Sequence, residues 1–134
     1  MGHWDRVECA AGGRSPKEAL RISLRASVMA WTALVDGKPV AMWGVTPVNL
    51  MDGIGSPWML GSDEARQFPR AFYVGGARSL PVMLSCFPRL ENHVAVANEA
   101  AIRLLDKWGF VVGGEVVTRR GVDFVPFRMD AADV

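Results

Sequence analysis

The stretch Asn98–Phe110, NEAAIRLLDKWGF, constrains the fold of this chain more than any other. Asparagine often precedes a helix, and glycine readily takes the left-handed conformation that ends one. Between Asn98 and Gly109, apolar residues recur at the three- and four-residue steps of one helix face: Ala101, Ile102, Leu105 and Trp108. Apolar runs flank this segment, at Val94–Ala97 before it and Phe110–Val112 after it. We therefore predict strand, amphipathic helix and strand in close succession, a pattern typical of α/β domains.

Composition excludes several classes of protein. The chain has 134 residues, so we predict a single domain over residues 1–134. An apolar share of 50% favours a globular fold, and a net charge of +1 gives no electrostatic basis for binding nucleic acid. We expect no membrane span, because no run approaches the roughly 20 apolar residues that one needs. The first residues lack the apolar segment of a signal peptide, and a soluble protein is expected.

The cysteines do not indicate a metal site. Cys9 and Cys86 are distant, with no CxxC pair and no spacing typical of zinc ligands. They allow one disulfide, but we expect two reduced thiols.

Capping and turn residues divide the first half of the chain. Ser15-Pro16 followed by Glu18 is a typical helix start, and Asp-Gly between apolar runs is a strong hairpin signal. The expected elements are, in order, a first strand within Trp4–Cys9, a helix from Ser15 to Ala26, a hairpin of Val28–Val35 and Pro39–Val45 in which Trp31 and Trp43 pack together, a loop over Thr46–Pro57, and a short strand at Trp58–Leu60.

The second half continues the alternation of helices and strands. Glycine and proline are unfavourable inside helices, so we expect the apolar segment Phe68–Phe87 to be mainly helical, with a break or kink near Gly75-Gly76 and Pro81, or two shorter helices. Pro126 suggests that the last strand lies at a sheet edge or ends there. The remaining elements are a turn after Gly61, a strand at Leu90–Ala97, the Asn98–Gly109 helix, a terminal hairpin of Val111–Thr118 and Val122–Phe127 with a bend at Gly113-Gly114, and a frayed tail at Asp130–Val134.

The helix motif and the element order resemble those of the GNAT (GCN5-related N-acetyltransferase) fold. The motif residues are Asn98, Ala101, Leu104, Lys107, Gly109 and Phe110. The resemblance covers most of the chain and implies an α/β fold: a mixed sheet with splayed central parallel strands and helices on both faces. The splayed strands would be Trp58–Leu60 and Leu90–Ala97. In that family the pantetheine arm of acetyl-CoA enters the gap, and the resemblance assigns cofactor binding to Asn98.

Two departures from the family pattern weaken the case for catalysis. The family's pyrophosphate loop carries glycines after the first splayed strand, but this chain has Asp63 and Glu64 there, which Arg66 and Arg70 offset only in part. Many members carry a tyrosine, as a general acid, where this chain has Leu105, and leucine cannot donate a proton. We therefore assign no catalytic residue. Tyr73, the sole tyrosine, is expected to be a packing residue on the long helix.

Several polar residues remain as weaker candidates. Asp52, Asp63 and Glu64 are possible bases, and His93 lies in a strand beside the expected cleft, where a structural role is the alternative. Arg21 and Arg25, one helical turn apart, are either a solvated face or a phosphate-binding pair. His3, Trp4 and Asp5 near the amino terminus form a further possible site.

The segment Ser56–Met129 is similar to a small group of GNAT-like phage proteins, including internal virion proteins of podophages. This resemblance implies a virion or assembly protein without catalysis or cofactor, located in the virion or host cytoplasm. Its partners would be proteins of the particle, with a possible oligomer. The apolar residues of the Thr46–Pro57 loop suit an interface. The alternative is an acetyl-CoA-dependent N-acetyltransferase acting directly on an amine, and a third hypothesis is a regulatory binder of an acyl-CoA or another nucleotide.

Overall fold

The computed structural model describes residues 2–133, apart from the side chain of Arg66. In this range the chain forms one mixed seven-stranded sheet. The helices are α1 (His3–Ala11), α2 (Pro16–Ala26), α3 (Pro69–Cys86) and α4 (Glu99–Trp108), with short 3-10 helices at Asp63–Gln67 and Ala131–Asp133. The strands are β1 (Met29–Val35), β2 (Lys38–Asn49), β3 (Ile54–Gly61), β4 (Arg89–Ala95), β5 (Val111–Val112), β6 (Val117–Arg119) and β7 (Val122–Asp130).

The first three strands form an antiparallel meander. Asp36 and Gly37 connect β1 to β2 with φ values of 50° and 77°, which confirms the predicted hairpin. Trp31 lies opposite Trp43 in the register, and their rings stack with centroids 6.5 Å apart, as expected from the sequence.

The central strands β3 and β4 run parallel but separate almost at once. Within the described residues they pair only at Ile54 with Arg89 and at Gly55 with Leu90. A Cβ on Gly55 would lie 2.7 Å from the Phe87 ring, so the close approach at this point requires glycine. Beyond it the strands diverge, which confirms the predicted splay, although β3 is longer than the strand expected at 58–60.

The other half of the sheet is built on β7, which pairs with every residue of β4. The other edge of β7 is shared by β5 and β6, with the bend at Gly113-Gly114 between them. Pro126 therefore lies in an interior strand, and the prediction of an edge position was wrong. Its carbonyl accepts a hydrogen bond from Gly113 N at this bend, and its missing N–H faces the same gap.

The organising helix α4 forms as its sequence indicates. The Asn98 side chain accepts a hydrogen bond from Ala101 N at 3.3 Å, and Gly109 ends the helix at φ 99°. Leu105 and Phe110 enter the main core, where Phe110 meets Phe127 edge to face at 5.1 Å. This core lies between the sheet and the pair α3 and α4.

The prediction of a first strand within Trp4–Cys9 was wrong, because these residues belong to α1. Trp4 and Ala11 lie on one face of this helix and pack against Ala95 and Phe124 of the sheet. Their spacing of seven residues is two helical turns, and Gly12 follows the last residue of the helix. The apolar residues were few enough for either interpretation, and packing against the sheet decided for the helix.

Two further boundaries differ from those expected. Most of the expected loop Thr46–Pro57 is sheet, because β2 continues to Asn49 and β3 begins at Ile54, and pairing across the sheet outweighs the local turn residues. The long helix α3 runs unbroken through Gly75, Gly76 and Pro81. Gly76 is buried against the indole of Trp108, whose Nε1 donates a hydrogen bond to Tyr73 O at 2.9 Å. Packing therefore overrides the low helix propensity of glycine here.

The adjacent glycines of α3 give opposite predictions for stability. A Cβ on Gly76 would lie 2.6 Å from Trp108 Cε2, so Gly76→Ala should displace the indole and destabilise the protein by about 1–3 kcal/mol. In Gly75→Ala the new Cβ would meet Trp43 at an ordinary 3.5 Å, so the gain in helix propensity should stabilise by up to about 1 kcal/mol. Urea denaturation measures both, and equal effects would contradict the packing argument.

Candidate functional site

The divergence of β3 from β4 leaves a cleft whose walls carry backbone polar groups. Alternate residues of a strand point their N–H and C=O to the same edge, so Pro57, Met59 and Gly61 all face the cleft. Asn92 of β4 reaches across and donates from Nδ2 to Pro57 O at 2.7 Å. Asp5 of α1 accepts a hydrogen bond from Gly61 N at 2.6 Å. Side chains thus meet part of the backbone that the splay frees, and the peptide of Met59 lies between these two contacts.

The cleft is a cavity of about 480 Å³ that passes between the splayed strands. Its volume lies within the range typical of small-molecule sites. Residues of α1 and α2 line it from one side of the sheet and residues of α4 from the other, among them Glu8, Ser23, Asn98, Ala101, Leu104 and Trp108.

Two carboxylates of α1 point into the cleft. Asp5 binds the Gly61 backbone, as described above, and Glu8 Oε1 accepts a hydrogen bond from Asn98 Nδ2 at 3.3 Å. Burial raises the pKa of Glu8 above the usual carboxyl range, and the nearby charge of Asp5 adds to this effect. The hydrogen bond from Asn98 opposes the shift without cancelling it. The protonated form of Glu8 is therefore favoured by folding.

Asn98, the residue predicted to bind a cofactor, lines the cleft and is buried. Its amide has two roles in the described structure: the oxygen caps α4 at Ala101 N, and the nitrogen donates to Glu8. A contact with a cofactor stays a prediction.

A second, wider groove of about 850 Å³ lies between the amino-terminal part of α3 and the exposed side of α4. It shares Ala101 and Leu104 with the cleft, so the two adjoin at α4. Three cationic residues line it: Arg70, Arg103 and Lys107. Within the described part of the chain its lining contains no acidic residue. Phe72 and Tyr73 give it an aromatic wall. We call this region the cationic groove; its chemistry suits an anion joined to an aromatic ring system.

The turn between β3 and α3, where the family carries its glycine-rich loop, has a different structure here. Asp63–Gln67 forms a 3-10 helix, and Ser62 Oγ donates to Val40 O at 3.1 Å. Asp63 and Glu64 are both exposed, while the side chain of Arg66 lies outside the described residues.

Of the other residues that the sequence suggested, His93 lines the cleft, whereas Asp52, Arg21 and Arg25 lie outside its lining. Asp52 is held by Asn49 in the β2–β3 turn, with Nδ2 to Oδ2 at 2.7 Å, and Arg21 and Arg25 are exposed on α2. Leu105 is buried and Tyr73 lies in the cationic groove, so the structure brings no tyrosine into the cleft. His93 lines the cleft and also a second cavity on the sheet.

The described part of the chain contains free cysteines, no candidate metal cluster and no candidate membrane-spanning helix. Cys9 and Cys86 are free thiols, as expected. Among residues 2–133 no group of three or more His, Cys, Asp or Glu side chains could hold a metal ion. In the same range no helix is both long and apolar enough to cross a bilayer.

Sequence reasoning named Asp5 as part of a possible amino-terminal site, but it missed Glu8 of α1 and the two cations of α4. Arg103 and Lys107 are four residues apart on α4, a spacing that puts them on one helix face. This signal was available, but the opposing residue Arg70 comes from α3, and only the tertiary structure brings them together. Asp5 and Glu8 were assigned to a strand, which would not have placed both side chains in one cleft.

Comparisons with known proteins bear on the fold. No protein-family model matches the chain, and no curated protein sequence matches it. Solved structures do. A mutant of spermidine N-acetyltransferase SpeG from Vibrio cholerae has a TM-score of 0.69 at 17% identity, covering 89% of this chain and 77% of that one. The same enzyme in complex with CoA and spermine scores 0.67 at 16% identity, covering 89% and 77%. A probable acetyltransferase scores 0.68 at 13% identity, covering 89% and 71%.

These likenesses establish the class of fold. The chain has the mixed α/β architecture of GNAT acetyltransferases, with the central strands splayed. The prediction of a phage virion or assembly protein was wrong: the solved structures to which the chain is similar are acetyltransferases, one of them with CoA bound, and none of the three is a virion protein. The resemblance to phage proteins rested on scattered residues.

The burial of Glu8 predicts a pH-dependent stability. Its folded-state pKa lies above its unfolded value, so its stabilising contribution is complete below the unfolded pKa and is lost as pH rises through the folded one. Glu8→Gln, which keeps the acceptor for Asn98 without the charge, should raise the thermal midpoint at pH 7 and leave it unchanged near pH 4. Glu115→Gln, at an exposed loop position, is the control and should have no effect at either pH. A gain that is equal at both pH values would contradict the argument.

Asn98 can be tested for its two roles separately. Asn98→Ala removes the helix cap and should lower stability by about 1 kcal/mol, whereas Asn98→Ser keeps a capping oxygen and should recover most of it. If the side chain also binds a cofactor, both variants should lose affinity for acetyl-CoA, measured by calorimetry. Wild-type affinity in the serine variant would reduce Asn98 to a cap.

Proposed function

We propose that this chain is an acetyl-CoA-dependent N-acetyltransferase that transfers the acetyl group directly to an amine. The observation that carries the proposal is that the splayed cleft and the cationic groove adjoin at Ala101 and Leu104. The fold of the similar acetyltransferases, including one in complex with CoA, supports the same function.

The residues present fit acetyl-CoA, but the groups that would hold its phosphates differ from those of the family pattern. The cleft edge of β3, with the peptide of Met59 facing inward, suits the amide groups of a pantetheine arm. Arg70, Arg103 and Lys107 would hold the phosphates, which replaces a glycine-rich loop by side-chain charge. Phe72 and Tyr73 would face the adenine ring. The cofactor supplies an acetyl thioester.

The protein's own part in such a reaction is positioning. An amine attacks a thioester directly once it is deprotonated, so a site needs orientation and a route for the proton. Leu105 cannot serve as an acid, and the described cleft contains no tyrosine. Glu8 lines the cleft, and His93 lies where the cleft meets the second cavity, so both are within the region through which a proton would leave.

Calorimetric titration of acetyl-CoA, compared with acetyl-pantetheine, tests the proposal. Saturable binding near one molecule per chain is expected. Arg103→Ala and Lys107→Ala should each weaken acetyl-CoA by about tenfold, because a hydrogen bond to a charged group is worth roughly 1.5–3 kcal/mol. Neither variant should change the affinity for acetyl-pantetheine, which lacks the nucleotide phosphates.

Arg25→Ala, an exposed arginine of α2, is the matched charge control and should bind both compounds as the wild type does. Absence of acetyl-CoA binding, or equal weakening by all three variants, would contradict the proposed function. Binding without release of the CoA thiol for any amine would indicate a binding protein in place of an enzyme.

A further inference from the structure

A second cavity, of about 390 Å³, opens on the sheet beside the cleft. Its polar lining comes mainly from β4 and β7, in the ladder Arg89–Asp130, Glu91–Arg128 and His93–Pro126. Continuing the ladder, Ala95 lies opposite Phe124, and both pack on α1. Because alternate residues of a strand share a face, the side chains of Arg89, Glu91 and His93 lie on the α1 side of the sheet. We call this region the mixed-charge cavity.

The mixed-charge cavity meets the cleft at the middle of β4. Asn92, His93 and Phe127 line both regions. The junction lies just beyond the point where β3 and β4 separate, after Gly55 and Leu90. The mixed-charge cavity and the cationic groove therefore adjoin the cleft at opposite ends. A molecule in this cavity could reach a reactive group that the cleft holds.

The ion pairs of the mixed-charge cavity leave one cation, Arg128, without a partner among residues 2–133. Arg89 is engaged by Asp130, with Nε to Oδ1 at 3.2 Å, and lies 3.8 Å from Glu91 Oε2. Arg128 stands directly opposite Glu91, yet no ion pair to Arg128 is formed among residues 2–133. The cavity therefore presents one carboxylate and, beside it, one guanidinium without a partner of opposite charge.

We infer that the mixed-charge cavity takes the acceptor, and that the acceptor is a small amine which also carries a carboxylate, such as an α-amino acid. The inference rests on the proposed function. The ammonium group of the acceptor would pair with Glu91, and its carboxylate would pair with Arg128. A guanidinium matches a carboxylate because it can donate two parallel hydrogen bonds to it. Directly opposite residues have Cβ atoms roughly 5 Å apart, which suits two charges on one small molecule.

A polyamine fits this cavity poorly. It carries only positive charge, whereas the lining places the guanidinium of Arg128, which forms no ion pair among residues 2–133, beside its single carboxylate, Glu91. Like charges across a binding surface lower affinity and exclude the wrong partner. The acceptor class therefore differs from the one in the names of the similar spermidine N-acetyltransferases. Val48, Pro126 and Phe127 give the rest of the lining an apolar character that suits an aliphatic or aromatic side chain.

The transfer balances with the groups at hand. The bound ammonium gives one proton to His93 or to water, the free amine nitrogen bonds to the acetyl carbon, and the carbon–sulfur bond breaks. The thiolate takes the second proton from the nitrogen. The products are an N-acetylated amino acid, CoA as the thiol, and one proton in solution.

The test measures release of the CoA thiol with paired acceptors: L-leucine, L-phenylalanine and L-glutamine, each beside its carboxamide, and spermidine as the polycation. The amine of each amide loses its proton more readily than that of the amino acid, so any advantage of the amino acid comes from recognition of the carboxylate. We expect kcat/KM to be about tenfold or more higher for at least one amino acid than for its amide and for spermidine.

Arg128→Gln should abolish this preference by lowering kcat/KM for the amino acid alone, leaving the amide unchanged. Arg128 is exposed, so the variant should fold. Arg25→Gln, on α2, is the matched control and should keep the full preference. A wild-type preference for spermidine or for the amides, or an equal loss for both acceptors in Arg128→Gln, would overturn the inference.

Failure of the proposed function can be told apart from failure of this inference. If acetyl-CoA does not bind, the acceptor class is judged by NMR titration of L-leucine and L-leucinamide, following the backbone amides of Glu91–His93. Shifts caused by leucine, absent with leucinamide and lost in Arg128→Gln, sustain the inference. No shifts, or equal shifts with both compounds, overturn it.

Discussion

The contact between β3 and β4 at Gly55 and Leu90 is the constraint on which the rest of the structure depends. Gly55 has no side chain, so the strand can lie against the Phe87 ring and Val45, where a Cβ would come within 2.8 Å of both. Among residues 2–133, the backbones of the two strands pair at this point and no further along. Every peptide group beyond that point on the inner edge must find another partner, because an unpaired buried backbone group is costly.

Those partners define the site. Asn92 meets one carbonyl of β3, and Asp5 meets one amide, so the cleft stays open while part of its backbone is satisfied by side chains. Asp5 belongs to α1, which also buries Glu8 against Asn98. One helix thus closes one side of the cleft, and the helix motif at Asn98 closes the other. The geometry of the cleft follows from the splay, and its chemistry follows from the helices that pack on each side.

Charge is distributed over three adjoining regions of the molecule: the cationic groove, the cleft and the mixed-charge cavity. The cationic groove lies at the α3 and α4 end, the acidic side chains of α1 line the middle, and the mixed-charge cavity lies on the far side. A chain with a net charge of +1 therefore contains strongly polar local regions, which the overall composition does not reveal. Net charge bears on non-specific binding, whereas recognition depends on which charges the fold places side by side.

Local sequence signals predicted elements well where the signal and the packing agree. The Ser15 cap, the Asp36-Gly37 turn and the helix from Asn98 to Gly109 all formed as expected. Predictions failed where a distant contact outweighs local preference. Gly75-Gly76 should weaken a helix, but Trp108 fills the space that Gly76 leaves, and α3 continues. The expected loop after Thr46 is sheet because its neighbours pair with it.

The candidate site was harder to predict than the fold. Asn98 and His93 were identified from the sequence, and both line the cleft. Arg70 with Arg103, and Glu91 with Arg128, come from elements distant in the chain, so no local spacing joins them. The absence of a glycine-rich loop was read as absence of cofactor binding, although side-chain charge can hold phosphates without one.

The sequence by itself determined the start of α2, the β1–β2 turn and both ends of α4, because caps, Asp-Gly turns and apolar periodicity act over a few residues. It also determined the order of elements from α2 onward, and through that order the class of fold. Only the tertiary structure decided that α1 is a helix in the cleft, that three cations share one groove, and that Arg128 faces Glu91. These features depend on strand register and on the faces that packing buries, and both arise from contacts between residues far apart in the chain.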